Sequence, residues 1–254
     1  MPPVPAPFAR EKDVLLERLT ERLAERFPTH PFAIGIDSGN FERAIGEYLA
    51  MSIAFPYIQA GAIHESFRRV TNASGDVNAN TEITAAIGSF LVWDEFGGHA
   101  LIRKHGDAGL LHLTRVSDIF HSHLLRRDIE ALLGCRIKPT RSAATREYLD
   151  GLLEGLSDGR ENRNVAYMVA FEQHANDMIE ALWDAVHRVF NVPKNATLAY
   201  FYEHVGGDSP AEAVHVQMTQ NMLSHLVPDN SHERFLDMCV DAYGASISWC
   251  DAIL

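Results

Sequence analysis

Apolar residues recur along most of this chain at the three- and four-residue intervals that place them on one side of an α-helix. The first such stretch, residues 8–27, carries Val14, Leu15, Leu19, Leu23 and Phe27 between charged positions. The helical pattern returns, with helix-ending signals such as Gly134 and Pro193, in seven further stretches: residues 40–70, 82–105, 116–133, 142–156, 163–190, 209–226 and 232–250. Alternation typical of β-strands is essentially absent, so the pattern predicts an all-α bundle of about seven or eight helices.

The chain begins with a proline-rich segment that has no helical period. Residues 1–7 contain four prolines and predict a flexible arm, while residues 8–254 predict a single helical domain. No apolar run approaches the ~20 residues of a membrane span, and the N-terminus lacks the apolar centre of a signal peptide.

Charge narrows the choice of partners. The chain of 254 residues has a formal net charge of −12 and no long basic run. Phosphate-rich partners require basic patches, so we expect neither nucleic acid nor an anionic membrane surface as a partner.

Three widely spaced cysteines, Cys135, Cys239 and Cys250, do not suggest a disulfide framework. The expected location is the reducing cytoplasm.

Some ionisable residues fall on apolar helix faces. Glu172 shares its face with Met168, Ala175, Ile179 and Trp183. Burying a neutral polar group without a hydrogen bond costs about 2–7 kcal/mol, and burying an unpaired ionised carboxylate costs more. A counter-charge such as a metal ion would remove that cost.

Two other helices repeat the arrangement. Glu95 is in line with Ile87 and Leu91, and His215 is in line with Met222. Three helices thus place a metal-ligating residue type inward, which favours a metal site over three unrelated hydrogen-bonded polar groups. Oxygen and nitrogen donors in this mixture suit iron, manganese or zinc.

The ferritin-type di-iron pattern does not fit this chain, because it requires Glu-x-x-His on two helices. Only Glu212 and His215 have that spacing. Glu172 and His174 are two residues apart and point to different faces, so His174 is predicted to be solvated or to lie behind the ligands.

Another pattern fits better. The segments FLVWDEFGGHALIRKH, FEQH and FYEHVGGD with a later histidine, within about residues 80–226, resemble the haem-oxygenase-like di-iron oxidases and oxygenases, which include CADD-like proteins. The resemblance implies a haem-oxygenase-like bundle, two Fe(II) ions and O2 as co-substrate. It implies as ligands Glu95, His105, Glu172, His204, Asp208 and His215. The chain departs from the family in one place: the last histidine usually comes three residues after the aspartate, where this chain has Ala211.

Two positions leave alternatives open. In one straight helix Glu95 and His105 would stand about 15 Å apart, so His105 requires a kink at Gly97-Gly98. His99, one turn after Glu95, is the alternative that requires no kink, and Glu212 is likewise the alternative to Asp208. A break at Gly206-Gly207 would let His204 and His215 meet.

The remaining polar residues receive simpler interpretations. His121 and His123 are interpreted as part of a solvated face. Tyr202 is predicted to have a catalytic role beside His204. Arg68, Arg69 and Arg103 are candidate partners for a substrate carboxylate.

The expected function is O2-dependent oxidation of a small amino-acid-like, amine or carboxylic-acid substrate, by N-oxygenation, desaturation or oxidative C–C cleavage, with nitrile formation among the outcomes. An external electron donor and a homodimer through the terminal helix are further expectations. The alternative is a non-redox protein of the same fold. A thiaminase-like hydrolase would require a nucleophilic cysteine, and an interaction module would leave the buried glutamates unexplained.

Overall fold

The computed structural model of the protein describes residues 6–106, 117–192, 198–206, 210–226 and 231–254. Within these ranges the regular secondary structure is helical and contains no strand. The α-helices are α1 (Ala6–Arg26), α2 (Pro31–Gly35), α3 (Phe41–Ser74), α4 (Ala79–Glu95), α5 (Gly98–His105), α6 (His121–Leu133), α7 (Ala143–Ser157), α8 (Arg163–Phe190), α9 (Ala199–Phe201), α10 (Ala211–Leu226) and α11 (His232–Ala252). The prediction of an all-α bundle is confirmed.

The predicted helix over residues 82–105 is interrupted, and α4 and α5 are its two parts. If these two parts are counted as one kinked helix and the short α2 and α9 are set aside, eight long helices remain among the described residues. α1 begins at Ala6, inside the predicted arm, and residues 1–5 lie outside the described residues.

Helix α8 runs through the middle of the bundle and packs against α2, α7, α10 and α11. Its apolar residues recur around much of the circumference, as expected for a helix covered on several sides. Val165, Ala166, Leu182 and Val186 are almost inaccessible to solvent. Side chains on α8 are therefore enclosed by its neighbours, and α3 extends the core by packing against α4 and α7.

The break between α4 and α5 depends on Gly97. Its φ of +78° lies in the left-handed region, which glycine adopts without steric cost. A Cβ on Gly97 would also come within 2.6 Å of the Ile119 carbonyl oxygen. Asp94 stabilises the new helix start, because its Oδ1 accepts a hydrogen bond of 2.6 Å from the His99 backbone N–H. The break turns the chain without leaving that amide unpaired.

A second irregular segment precedes α10. Residues Tyr202–Gly206 form a π-helical turn directly after α9, and such turns occur frequently at functional sites. The start of α9 is held by Asp128 on α6, whose carboxylate accepts hydrogen bonds from the backbone N–H groups of Ala199 and Tyr200 at 2.9 and 2.7 Å. This contact ties α6 to the segment that carries the π-turn. None of the described helices is both long and apolar enough to cross a membrane.

Candidate metal centre

Helices α8 and α10 bring together one group of three possible metal ligands. Glu172 lies in the first half of α8, and Glu212 and His215 lie one turn apart on α10. One ligand atom from each of the three lies within 4.8 Å of the others, and all three residues are buried. The Nδ1 atom of His215 is 3.4 Å from Oε2 of Glu172. The apolar neighbours that predicted burial of Glu172 do enclose it, because Met168, Ala175 and Ile179 are buried as well.

A second group of three possible ligands comes from three other segments. It consists of Glu95 at the end of α4, His121 at the start of α6 and His204 in the π-turn. Nδ1 of His121 is 3.4 Å from Oε1 of Glu95, and the rings of His121 and His204 have centroids 4.3 Å apart. Nε2 of His204 is 3.8 Å from Oε1 of Glu212. The two groups therefore form one continuous cluster of three histidines and three carboxylates.

Hydrogen bonds from outside the cluster fix two of its histidines. Nε2 of His215 is 2.7 Å from Oδ2 of Asp94, a fully buried carboxylate. Nδ1 of His204 is 2.8 Å from the carbonyl oxygen of Tyr200. In each ring the other nitrogen faces the cluster. A carboxylate or a carbonyl oxygen behind a histidine sets its tautomer and orientation in many metal sites.

Several ligand atoms in the cluster have no hydrogen-bond partner although they are buried. They are Nδ1 of His121, Oε1 of Glu172, Oε2 of Glu212 and Nδ1 of His215. A buried polar atom without a partner costs about 1–3 kcal/mol, and more when it is charged. Metal ions placed among these atoms would use the unpaired positions, so the donor set fits a metal.

The electrostatics of the cluster lead to the same conclusion. Burial raises the pKa of Glu172 and raises the pKa of Glu212 well above its usual range, and the neighbouring carboxylates add to both effects. Burial, with the nearby His121, lowers the pKa of His204 well below its usual value. Burial alone would lower the pKa of His215, but its contacts with Asp94 and Glu172 raise it well above normal. Cations in the cluster would favour ionised carboxylates and neutral imidazoles.

Four of the sequence-predicted ligands lie in the cluster: Glu95, Glu172, His204 and His215. Asp208 lies outside the described residues, so its role stays a prediction. The expected kink at Gly97 is present, but His105 is exposed at the far end of α5 and does not join the cluster. The kink brings the His99 backbone N–H to Asp94 instead, and the His99 side chain is outside both groups.

Tyr202 is exposed, and its catalytic role stays a prediction. Its side chain is 46% exposed, because residues two apart on a helical turn point to different sides. Tyr200 occupies the place expected for Tyr202: its ring lies against His204, with centroids 4.0 Å apart, and its hydroxyl is 2.5 Å from that of Tyr48.

Three residues are more buried, or closer to the cluster, than the sequence suggested. His121 is only 1% exposed, whereas His123 is on the surface as expected. The signal for His121 was its alignment with Leu124, Leu125 and Asp128 on the buried face of α6. Glu212 was only an alternative, although its spacing from His215 places both on one face. His174 was interpreted as solvated or as lying behind the ligands, and its complete burial contradicts the first of these alternatives.

Comparisons with known proteins identify the fold. No protein-family model matches the chain, and a search of curated proteins found no significant match. A CADD-like protein of unknown function from Nostoc punctiforme has a similar crystal structure, with a TM-score of 0.68. The superposition covers 96% of this chain and 97% of that chain at 16% sequence identity. The fold is CADD-like. At this identity the likeness concerns the fold alone, and the chemistry has to be argued from the cluster.

Proposed function

We propose that this chain is a non-haem di-iron enzyme of the haem-oxygenase-like superfamily, which uses O2 to oxidise a small amino-acid-like, amine or carboxylic-acid substrate. The observation that supports this most is the cluster of three histidines and three carboxylates, in which four buried ligand atoms lack a hydrogen bond. The cluster contains nitrogen and oxygen donors and no thiolate, a set that suits iron.

Each half of the cluster would hold one ion. Glu95, His121 and His204 would bind one of them, and Glu172, Glu212 and His215 the other. Bound iron would supply the redox chemistry with O2, which no side chain of the protein provides.

The protein's own residues keep the site dry and ordered. Asp94 holds the ring of His215 through its Nε2 atom, and the carbonyl of Tyr200 holds the ring of His204. The ring of Tyr200 covers one side of His204 and excludes water there. A water-free pocket strengthens every charge interaction between the ligands and protects reactive species from side reactions.

Arg103 is the best-placed cation for a substrate carboxylate. It forms an ion pair at 2.8 Å with Glu203, the residue directly before His204. Arg68 and Arg69 pair with Glu65 on the exposed part of α3. A substrate carboxylate would exchange with Glu203 at Arg103 and lie next to the π-turn. The reaction would then be N-oxygenation, desaturation, or oxidative C–C cleavage that can extend to nitrile formation.

The proposed chemistry implies partners. An external donor would return electrons to the metal centre between turnovers, and a reducing cytoplasm would keep ferrous iron available. We also propose a homodimer through α11, which sedimentation of the purified protein would test.

Metal analysis under anaerobic conditions tests the proposal. Protein purified without oxygen is expected to take up two Fe(II) per chain and, after a pulse of O2, to develop a transient visible absorption band. Glu172→Gln keeps the size of the side chain but removes its charge, and is expected to abolish uptake of at least one iron.

Glu47→Gln is the matched control, because Glu47 is a buried glutamate on α3 outside the cluster. Its carboxylate accepts hydrogen bonds from Ser142 and Thr145, so this variant should bind iron normally. Binding of zinc alone, or iron uptake that Glu172→Gln leaves complete, would contradict the proposal and favour the non-redox alternative.

The structure gives no support to a thiaminase-like hydrolase with Cys239 or Cys250 as nucleophile. Both thiols are fully buried, and burial raises the pKa of each far above its usual value. Nucleophilic cysteines are partly exposed and have lowered pKa values.

A further inference from the structure

The face of α8 opposite Glu172 carries a third group of possible ligands. His174 and Met178 on α8 and Cys250 on α11 are almost fully buried, and the partly buried His30 joins them from the residue before α2. One ligand atom each from His30, His174 and Cys250 lies within 4.8 Å of the others. The proposed di-iron reaction uses none of these four side chains.

We propose that His30, His174, Met178 and Cys250 bind one Cu(I) ion. Nitrogen and sulfur atoms at 2.0–2.3 Å from a shared tetrahedral ion lie about 3.3–3.8 Å from one another. The Nε2 atoms of His30 and His174 are 3.2 Å apart, and Sγ of Cys250 is 3.7 Å from Sδ of Met178. Sγ of Cys250 is 4.0 Å from Nε2 of His174. These three distances lie within about 0.2 Å of that range.

The donor types and the charge both favour Cu(I). Thiolate and thioether sulfur are soft ligands, which select Cu(I) over the harder divalent ions. The group contains a single ionisable thiol and no carboxylate. A monovalent ion with one thiolate is neutral, whereas a divalent ion would leave a net positive charge in the core, where uncompensated charge is costly.

Binding requires a change of protonation at two residues. Nδ1 of His30 accepts a hydrogen bond from the Phe32 backbone N–H at 3.1 Å, so the proton of the neutral ring is on Nε2. On binding, this proton moves to Nδ1 and the hydrogen bond to Phe32 is lost, while the Cys250 thiol releases one proton to solvent. The loss of one helix-cap hydrogen bond is small beside the binding energy of a structural metal.

The ion has a route to the site, because His30 is the only one of the four with a partly exposed side chain. It precedes the five-residue helix α2, which packs on α8 and α11. An ion would reach His30 first and then pass to the buried sulfur atoms.

Anaerobic titration of metal-stripped protein with Cu(I) in competition with bicinchoninate tests the proposal. The parent variant is Cys135→Ser, which removes the exposed thiol. We expect one tightly bound copper per chain, with two sulfur neighbours in its X-ray absorption spectrum. Met178→Leu is expected to reduce these to one sulfur.

Two further variants remove single ligands. Cys250→Ser and His30→Asn are each expected to weaken Cu(I) binding at least about 100-fold, since loss of even an outer contact costs 10–100-fold. Asparagine caps helices well, so His30→Asn should fold even if Cys250→Ser does not. Cys239→Ser removes a buried thiol from the same helix and should bind copper as the parent does.

Three results would overturn the proposal. They are a copper affinity that neither Cys250→Ser nor His30→Asn changes, a copper spectrum without sulfur, or tighter binding of Zn(II) than of Cu(I) in direct competition.

Discussion

Glu172→Gln should change the stability of the protein in opposite directions with and without iron. In the metal-free protein Glu172 adds a third carboxylate to a buried cluster, and one of its oxygens has no partner. Glutamine at this position has the same shape without the charge. The metal-free variant should therefore be more stable than the wild type, whereas the iron-loaded variant should be less stable because it has lost a ligand.

The sizes of both effects follow from the burial of the site. Replacing buried charged groups by uncharged groups of similar volume is often neutral or stabilises a protein by about 1–4 kcal/mol. For a chain of this size 1 kcal/mol corresponds to about 2–4 °C in Tm. The metal-free variant should thus melt up to about 16 °C higher than the wild type. Ferrous iron at about 1,000 times its Kd stabilises by about 4 kcal/mol per site, or about 8–16 °C, and the variant should lose most of this gain at one site.

Anaerobic thermal melts of both proteins, with and without excess Fe(II), measure these shifts. Glu47→Gln serves as the control, since Glu47 is just as buried but is paired with Ser142 and Thr145. It should lower Tm in both conditions and leave the iron-induced shift unchanged. The reasoning fails if Glu172→Gln is less stable than the wild type without metal, or if it keeps the full iron-induced shift.

Three other substitutions test a contact of the metal centre, the kink at Gly97 and the junction before α8. Asp94→Asn should weaken iron binding about 10–100-fold with little change in fold, because the ring of His215 loses its charged partner. An unchanged Kd for Fe(II) in anaerobic titration would show that Asp94 does not orient His215. Gly97→Ala should lower the free energy of unfolding by more than about 2 kcal/mol in denaturant titration, since a Cβ there meets backbone and the φ is positive. The pKa of Asp158 is lowered to about 2, first by its hydrogen bonds with Arg160. The ionised Asp158 stabilises the fold above about pH 4, and this effect is lost as the pH falls towards 2. It amounts to about 1 kcal/mol, because Arg160 is mostly exposed. Asp158→Asn should therefore flatten the plot of unfolding free energy against pH between about pH 4 and 2.

The hydrophobic pattern by itself determined the helical class and most helix positions. A period of 3.6 residues follows from local backbone geometry, so a sequence reports it directly. The same pattern placed Glu95, Glu172 and His215 on buried faces, because each shares a stripe with apolar neighbours on its own helix.

Only the tertiary structure decided which buried groups meet. His121 lies at the first turn of α6, where a short stripe carries little signal, and Asp128 and Tyr200 acquire their roles from contacts between α6 and α9. The kink at Gly97 was readable as a glycine pair, but its direction depends on packing against Ile119, which left His105 outside. Contacts between helices far apart in sequence depend on how whole faces pack, and no local period encodes that. For the same reason the group of His30, His174 and Cys250 could not be read from three separate stretches of the chain.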